Sequence, residues 1–133
     1  MNQKIDNLIP IAFRAVEDKL ATNGQVSRQY NGYIASFGAS VVQSGMMAAL
    51  VFNHREESRS EQDRKALMDA IFEVTKSLEE HQVIEPSLLD FYRNKLTDKR
   101  RLKLNIMDAA AAIKLVIRTF KLVEESTVST NSN

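Results

Sequence analysis

The amino-acid sequence predicts an all-α protein, a single-domain bundle of about five to six helices with a long C-terminal helix. Three observations favour this class. Apolar residues recur at helical spacing along most of the chain, and no segment shows the alternation that is typical of a strand. In addition, the 25 residues 29–53 carry no charged side chain, although 26% of the chain is charged. Such a stretch is typical of the buried centre of a domain.

The first helix is predicted to end near Ala21. Pro10, which has no backbone N–H to donate, marks either the first turn of this helix or a kink in it. Residues 22–24 (Thr-Asn-Gly) tolerate left-handed backbone angles, which favours a helix end there. The apolar stripe that defines the helix is Ile5, Leu8, Ile9, Ala12, Phe13, Val16 and Leu20.

The uncharged stretch is predicted to form two helices that meet at Gly45. Ser27 is a good cap for the first of them, and Gly45 can adopt the backbone angles that a helix end requires. The second then runs to about His54. Their apolar stripes are Tyr30, Tyr33, Ile34, Phe37 and Val41, followed by Met46, Met47, Leu50 and Val51. The small residues that are expected to let neighbouring helices approach closely are Gly32, Ala35, Gly38, Ala39, Ala48 and Ala49.

Membrane insertion and disulfide chemistry are both disfavoured. A transmembrane helix needs about 20 predominantly apolar residues, and residues 43–45 (Gln-Ser-Gly) interrupt the longest apolar run. No cysteine is present, which excludes a disulfide framework and a thiolate metal site. The amphipathic start of the chain does not resemble a secretory signal. We therefore expect a cytoplasmic protein without a membrane partner.

Two helices are predicted after a polar linker at residues 54–60. Ser60, with Asp63 three residues on, is the expected cap of the fourth helix. The apolar spacing predicts that this helix ends near His81. Pro86 suits the first turn of a short fifth helix, since a proline is tolerated there without losing a hydrogen bond.

The last helix is predicted to be the longest, with Thr97 as its cap. Its apolar stripe is Leu102, Ile106, Ala109, Ala110, Ile113, Val116, Ile117, Phe120 and Val123. Residues 1–125 are thus expected to form one helical domain. Residues 126–133 are almost entirely polar, so we expect them to form a disordered tail.

No catalytic constellation is recognisable. His54 and His81 are expected to be solvent-exposed residues at helix ends. Glu57 follows His54 at a spacing found in helical metal sites, but a second carboxylate–histidine set is missing. None of the four glycines belongs to a phosphate-binding loop. The sequence therefore predicts a protein that is not an enzyme and that uses no metal, cofactor or small-molecule substrate.

Charge is distributed unevenly along the second half of the chain. Residues 55–90 contain ten acidic and five basic side chains, whereas residues 91–121 contain nine basic and two acidic ones. This density of cations favours contact with nucleic-acid phosphates, and a single neighbouring aromatic, Tyr92, argues against base stacking. The alternative is a basic connection that pairs with the acidic half of the same chain. The basic cluster comprises Arg93, Lys95, Lys99, Arg100, Arg101 and Lys103.

Two blocks of sequence are similar to a known family. The first is SGMMAALVF at residues 44–52, and the second is IMDAAAAIKLVIRTFKLV at residues 106–123. With the basic stretch between them, they resemble the small all-helical subunit of the type III-B CRISPR (Cmr) RNA-silencing complex over residues 9–123. The matching positions are Ser44, Gly45, Met46, Met47 and Phe52 in the first block, and Asp108, Ala109, Ile113, Arg118 and Phe120 in the second. The chain departs from the family pattern at Val116, where a tryptophan is usual, and at Thr119, where a basic residue is usual.

The resemblance implies a non-catalytic helical bundle that stacks in several copies and supports a guide–target RNA duplex while another subunit cuts the target. The implied partners are the other subunits of the effector complex, further copies of the same chain, and guide and target RNA. Arg118 is implied as an RNA contact by its position in the family pattern. Charge alone adds the other expected RNA-binding residues, which are Lys95, Lys99, Arg100, Arg101 and Lys103.

Two other classes of function remain open from the sequence. One is a helical protein–protein adaptor or regulatory bundle without nucleic acid, with an apolar interface around Met46 and Met47, because methionine suits adaptable surfaces. The other is a small metal-dependent hydrolase, which elemental analysis of the pure protein would detect.

Overall fold

Six helices and a small parallel sheet make up residues 3–124, the part of the chain that the computed structural model describes. The all-α class is therefore confirmed. The helices are α1 (Gln3–Lys19), α2 (Gln29–Ser44), α3 (Met46–Asn53), α4 (Arg59–Lys76), α5 (Leu88–Asn94) and α6 (Lys99–Ile117), and the strands are β1 (Gln25–Ser27) and β2 (Lys121–Val123). The predicted tail at 126–133 lies outside the described residues.

The two strands correct the expectation that the chain has none. β1 and β2 run parallel, with Val26 opposite Leu122. Each has only three residues, which is too short for an alternating pattern to be visible in sequence. α6 consequently ends at Ile117 and not at Val123, because the chain turns there to place β2 beside β1.

The core lies where α1, α4 and α6 pack against one another, with α2 covering α4 and α6. The apolar stripe of the last helix is confirmed up to Ile117, and Ile106, Ile113 and Ile117 are fully buried. Pro10 lies inside α1, seven residues after its start, so a position in the first turn is excluded. The predicted left-handed backbone after α1 is confirmed, since Asn23 (φ 55°) and Gly24 (φ 75°) both have positive φ angles.

Only one side of the uncharged stretch is buried. α2 buries Tyr30, Ile34, Phe37 and Val41, whereas Val42 on its other side is 83% exposed. The expected close approach of helices at the small residues is wrong for most of them. Gly32, Ala35, Ala39 and Ala48 are exposed, a Cβ built on Gly32 or Gly38 meets no atom within 4 Å, and only Ala49 lies in the core.

The second half of the uncharged stretch, α3, is also buried on one side only. Met46 and Leu50 are buried in α3, and Met47 is half-buried. Val51 was expected in the apolar stripe but is exposed, as is Phe52. The guanidinium groups of Arg55 and Arg64 each lie 5.3 Å from the ring centroid of Phe52, so this ring is covered by cations and not by the core.

Gly45 separates α2 from α3 as predicted. Its φ is 92° and its ψ is 162°, a backbone conformation that is essentially restricted to glycine. The Gly45 N–H donates to the Val41 carbonyl (3.0 Å) and its own carbonyl accepts from the Ala49 N–H (3.1 Å). One residue therefore ends one helix and starts the next.

Substituting Gly45→Ala is expected to lower the free energy of unfolding by about 1–3 kcal/mol, because a Cβ is unfavourable at this backbone conformation. The measurement is equilibrium urea denaturation. Gly38→Ala is the control: the same methyl group is added inside α2 where a Cβ meets nothing within 4 Å. That variant is expected to gain about 0.5–1 kcal/mol. Equal losses in the two variants would contradict the role given to Gly45.

Helix starts differ from the expectation at several positions. Ser27 belongs to β1, although its Oγ accepts a hydrogen bond from the Gln29 N–H (3.3 Å). α4 begins two residues earlier than expected, because Ser58 and Glu61 form a reciprocal capping box in place of Ser60 and Asp63. It ends at Lys76, before the expected end near His81.

The last two helices also start differently. Ser87 caps α5 by accepting from the Asp90 N–H (3.1 Å), and Pro86 precedes this cap. α6 follows Asp98, which has a left-handed backbone (φ 57°) and makes no side-chain capping bond, so Thr97 is not the cap. The start of α6 is therefore uncapped by side chains.

Candidate nucleic-acid interface

The basic cluster lies at the end of α5 and over the first turns of α6. The chain leaves α5 at Lys95, turns at Asp98 and enters α6 at Lys99. Three consecutive cations, Lys99, Arg100 and Arg101, therefore occupy the first turn of α6, which contains no acidic residue. The helix macrodipole makes this end positive, and a cation there costs about 0.3–1 kcal/mol. Such a local conflict is typical of a functional surface.

Three members of the cluster interact within the chain. The Lys95 Nζ lies 3.3 Å from Oε1 of Glu79 and 5.4 Å from the Phe91 ring centroid. The Lys99 Nζ lies 4.9 Å from the ring centroid of Tyr92, and Arg93 pairs with Asp90 (3.2 Å). The sequence alternative, in which the cluster pairs with the acidic half of the chain, thus holds for Lys95 and Arg93.

The other three members are available for a partner. Arg100, Arg101 and Lys103 are exposed, and none of them has an ion-pair partner within residues 3–124. Arg101 lines a cavity of about 270 Å³ whose rim also includes Glu79 and Glu80. The structure therefore brings Arg100, Arg101 and Lys103 together as one exposed basic surface, which we call the α6 entry surface.

Arg118 is not close to the α6 entry surface. It directly follows α6, eighteen residues after Arg100, which corresponds to about 27 Å along the helix axis. Eighteen residues are five whole turns, so Arg100 and Arg118 point in the same direction from the helix. Lys114 lies on the same side and was absent from the expected set. Its helical register with Lys103, eleven residues earlier, is the signal that would have included it.

The acidic residue in the middle of α6 is neutralised from outside the helix. The Lys4 Nζ on α1 lies 2.9 Å from Oδ2 of Asp108 and donates to Oδ1 of the buried Asn105 (2.7 Å). Asp108 therefore does not offset the cations of the exposed side. That side of α6 also carries two exposed apolar residues, Leu104 and Leu115.

His54 is not the solvent-exposed residue that the sequence suggested. It is half-buried at the end of α3, where its Nδ1–H donates to the Leu50 carbonyl (2.6 Å) and its Nε2 accepts from the Leu89 N–H of α5 (3.2 Å). The bond accepted at Nε2 needs the neutral ring, because both nitrogens of a protonated ring are donors. Burial lowers the pKa of His54 below its ordinary value of 6.5. His54 thus fastens α3 to α5, whereas His81 is exposed as expected.

This geometry predicts a stability that depends on pH. The folded protein holds the pKa of His54 below that of the unfolded chain, so the unfolded state binds the proton more readily. The stability contribution is complete above pH 6.5 and is lost as the pH falls from 6.5 toward the lower pKa of the folded state. Thermal unfolding between pH 7.5 and 5 is expected to show this loss, and His54→Gln is expected to reduce it. His81→Gln should retain the dependence of the wild type, and a wild-type-like profile in His54→Gln would contradict the assignment.

The described part of the chain was also compared with the requirements for a metal site and for a membrane-spanning helix. Among residues 3–124, no group of three or more histidine, cysteine, aspartate or glutamate side chains is arranged to hold a metal ion. None of the helices α1 to α6 is long and apolar enough to cross a bilayer.

Comparison with known proteins gives one result. The family model described as CRISPR-associated protein (Cas_Cmr5) matches residues 8–118, which include α2 to α6 and most of α1. Searches of curated proteins and of solved structures returned no match. The family match confirms the resemblance to the Cmr small subunit that the two sequence blocks indicated. The chain belongs to the Cas_Cmr5 family of CRISPR-associated proteins.

Proposed function

We propose that this subunit of the CRISPR Cmr complex is a non-catalytic, structural component that supports the guide–target RNA duplex through the α6 entry surface. Membership of the family supports its place among the other subunits. The observation that carries the RNA contact is the presence of three exposed, unpaired cations, Arg100, Arg101 and Lys103, at the positive end of a helix.

The proposed contact is made to phosphates and not to bases. Lys99 already lies over the Tyr92 ring, so this neighbouring aromatic is not free for base stacking. Counter-ion release at the RNA backbone supplies the binding free energy, which is independent of nucleotide sequence. An A-form duplex is recognised by shape and backbone in the same way.

One copy offers few contacts, so the isolated subunit is expected to bind RNA weakly. Stacked copies would place several α6 entry surfaces along one RNA. Because these surfaces would bind the same RNA together, the overall affinity would exceed that of one copy even though each surface makes the same contacts. Lys95 is paired with Glu79, so it is not counted as part of this surface. Arg118 would contribute only to an RNA that extends along the whole of α6.

An adaptor function without nucleic acid remains the second candidate. The observation in its favour is the uncharged outer side of α2 and α3, where Val42, Val51 and Phe52 are exposed. This surface differs from the one expected around Met46 and Met47, because Met46 is buried. An uncharged surface contributes nothing to phosphate binding. The two candidate functions therefore use different surfaces of the molecule.

Purification of the tagged protein from its own host in low salt tests the proposal. We expect a large cytoplasmic assembly that carries short RNAs of discrete length. Recovery of the protein alone, or with a single protein partner and no RNA, would contradict the RNA function and favour the adaptor.

A further inference from the structure

We propose that Asn23 is a site of spontaneous deamidation, and that its conversion to isoaspartate weakens the pairing of β1 with β2. The dipeptide Asn23-Gly24 lies in the exposed turn between α1 and β1. Asparagine is a thermally labile residue, and a glycine after it leaves the attacking backbone nitrogen without a neighbouring side chain to shield it. This reaction belongs to the chain itself and does not depend on the proposed function.

The turn exposes both reacting groups. Asn23 and Gly24 have φ angles of 55° and 75°, the positive values that the centre of a type I′ turn requires and that Asn-Gly suits best. The Thr22 N–H donates to the Gln25 carbonyl (2.8 Å), and the Gln25 N–H donates to the Thr22 carbonyl (3.0 Å). Between these two bonds, Asn23 and Gly24 are exposed and make no hydrogen bond within residues 3–124. Water and hydroxide therefore reach both residues.

The reaction joins these two residues and consumes one water molecule. Hydroxide removes the proton of the Gly24 backbone nitrogen, which attacks Cγ of Asn23. The Cγ–Nδ2 bond breaks, and ammonia leaves with a proton that water supplies. Water then opens the resulting cyclic imide. Cleavage at Cγ gives aspartate, whereas cleavage at the main-chain carbonyl carbon gives isoaspartate, whose backbone passes through the side chain and is one carbon longer.

A second Asn-Gly pair provides a comparison within the same chain. Asn31 and Gly32 lie inside α2, and Oδ1 of Asn31 is buried without a hydrogen-bond partner among the described residues. Side chains of a helix tilt toward its N-terminus, which directs the Asn31 amide away from the following backbone nitrogen. Attack at Asn31 therefore requires that the start of α2 unfolds, whereas attack at Asn23 requires only rotation within an exposed turn. Because intramolecular attack depends on the approach of the reacting atoms, Asn23 is expected to react at least about tenfold faster.

The added backbone carbon acts on the small sheet, because β1 follows the turn directly and pairs with β2 in parallel. Arg28, the residue after β1, donates its N–H to the Val123 carbonyl (2.7 Å), and its Nε lies 3.0 Å from Oε1 of Glu124. Val26 in the middle of β1 is fully buried, so β1 cannot shift along its axis without moving a core side chain. Isoaspartate at position 23 therefore strains the contacts that hold residues 121–124 against the bundle.

Incubation of the full-length protein at pH 8.5, followed by trypsin digestion and mass spectrometry, tests the site. Trypsin cleaves after lysine and arginine, so the two Asn-Gly pairs fall in different peptides, residues 20–28 and 29–55, and fragment ions locate the change within each peptide. We expect the mass gain of deamidation to accumulate at least about tenfold faster at Asn23 than at Asn31. In concentrated urea, where α2 is unfolded, the two rates are expected to be similar. Equal rates in the folded protein would overturn the proposed site.

Hydrogen exchange tests the effect on the sheet. Backbone amides of residues 25–28 and 121–124 are expected to exchange at least about tenfold faster in the incubated protein than in fresh protein. Asn23→Gly, which suits the same turn but has no side-chain amide, is the control and should show no change after the same incubation. Unchanged exchange in the incubated wild type would refute the effect on the sheet. Freshly purified Asn23→Asp adds the charge without the extra carbon, and equally fast exchange in that variant would refute the role of isoaspartate.

Discussion

Replacing Arg100, Arg101 and Lys103 together with glutamine is expected to lower the affinity of the Cmr complex for its target RNA at least about tenfold, since the proposed function assigns three phosphate contacts to every copy of the subunit. The salt dependence identifies the cause. Each lost contact is expected to reduce the slope of log K against log salt by about 0.7–0.9, so the triple variant loses about two to three units per copy. Binding of labelled target RNA at several salt concentrations measures both quantities.

The matched control removes the same charge elsewhere. Arg14, Lys19 and Lys121 are exposed and have no ion-pair partner among the described residues, and none belongs to the α6 entry surface. Their triple replacement with glutamine is expected to change the salt slope by less than half as much. If both triple variants lower the affinity equally, the effect is due to net charge and the α6 entry surface has no special role. Thermal unfolding of both variants shows whether either replacement affects the fold.

Phe37→Ala is expected to give the largest loss of stability, about 3–5 kcal/mol, because it removes a fully buried aromatic ring from the core. α2 is attached to the bundle through one stripe, in which Phe37 lies between Ile34 and Val41. Its other side contacts solvent, so no second set of contacts compensates for the loss. Urea denaturation followed by circular dichroism gives the free energy of unfolding.

Val42→Ala is the control on the same helix. Val42 is 83% exposed, so its truncation is expected to change the free energy of unfolding by no more than about 0.5 kcal/mol. Similar losses for Phe37→Ala and Val42→Ala would mean that α2 is not buried on the side described here. The comparison therefore tests which side of the uncharged stretch faces the core.

Local patterns predicted most of the helices for a physical reason that acts over a few residues. The apolar stripe of α6 recurs every three to four residues and is buried up to Ile117. The break at Gly45 follows from the backbone freedom of one residue. Helix starts were less predictable, because Ser58 and Ser60 are both good caps and the choice depends on the reciprocal bond that Glu61 makes with Ser58.

The candidate nucleic-acid interface was also only partly predictable from the sequence. Sequence alone located the dense cations around the start of α6. It could not distinguish Lys95, which pairs with Glu79 sixteen residues away, from Arg101, which is exposed. His54 was likewise placed in solvent, because its bond to Leu89 joins two helices that are 35 residues apart in the chain. Such pairings depend on packing, and no local pattern reports them.

The sequence by itself determined the all-α class, the two helices of the uncharged stretch and the family, since these depend on composition, periodicity and short motifs. Only the tertiary structure decided which side of that stretch is buried, which cations are unpaired and that β1 and β2 form a sheet. The physical reason is that these features depend on contacts between residues far apart in the chain. Val26 and Leu122 become neighbours only after the helices between them have packed.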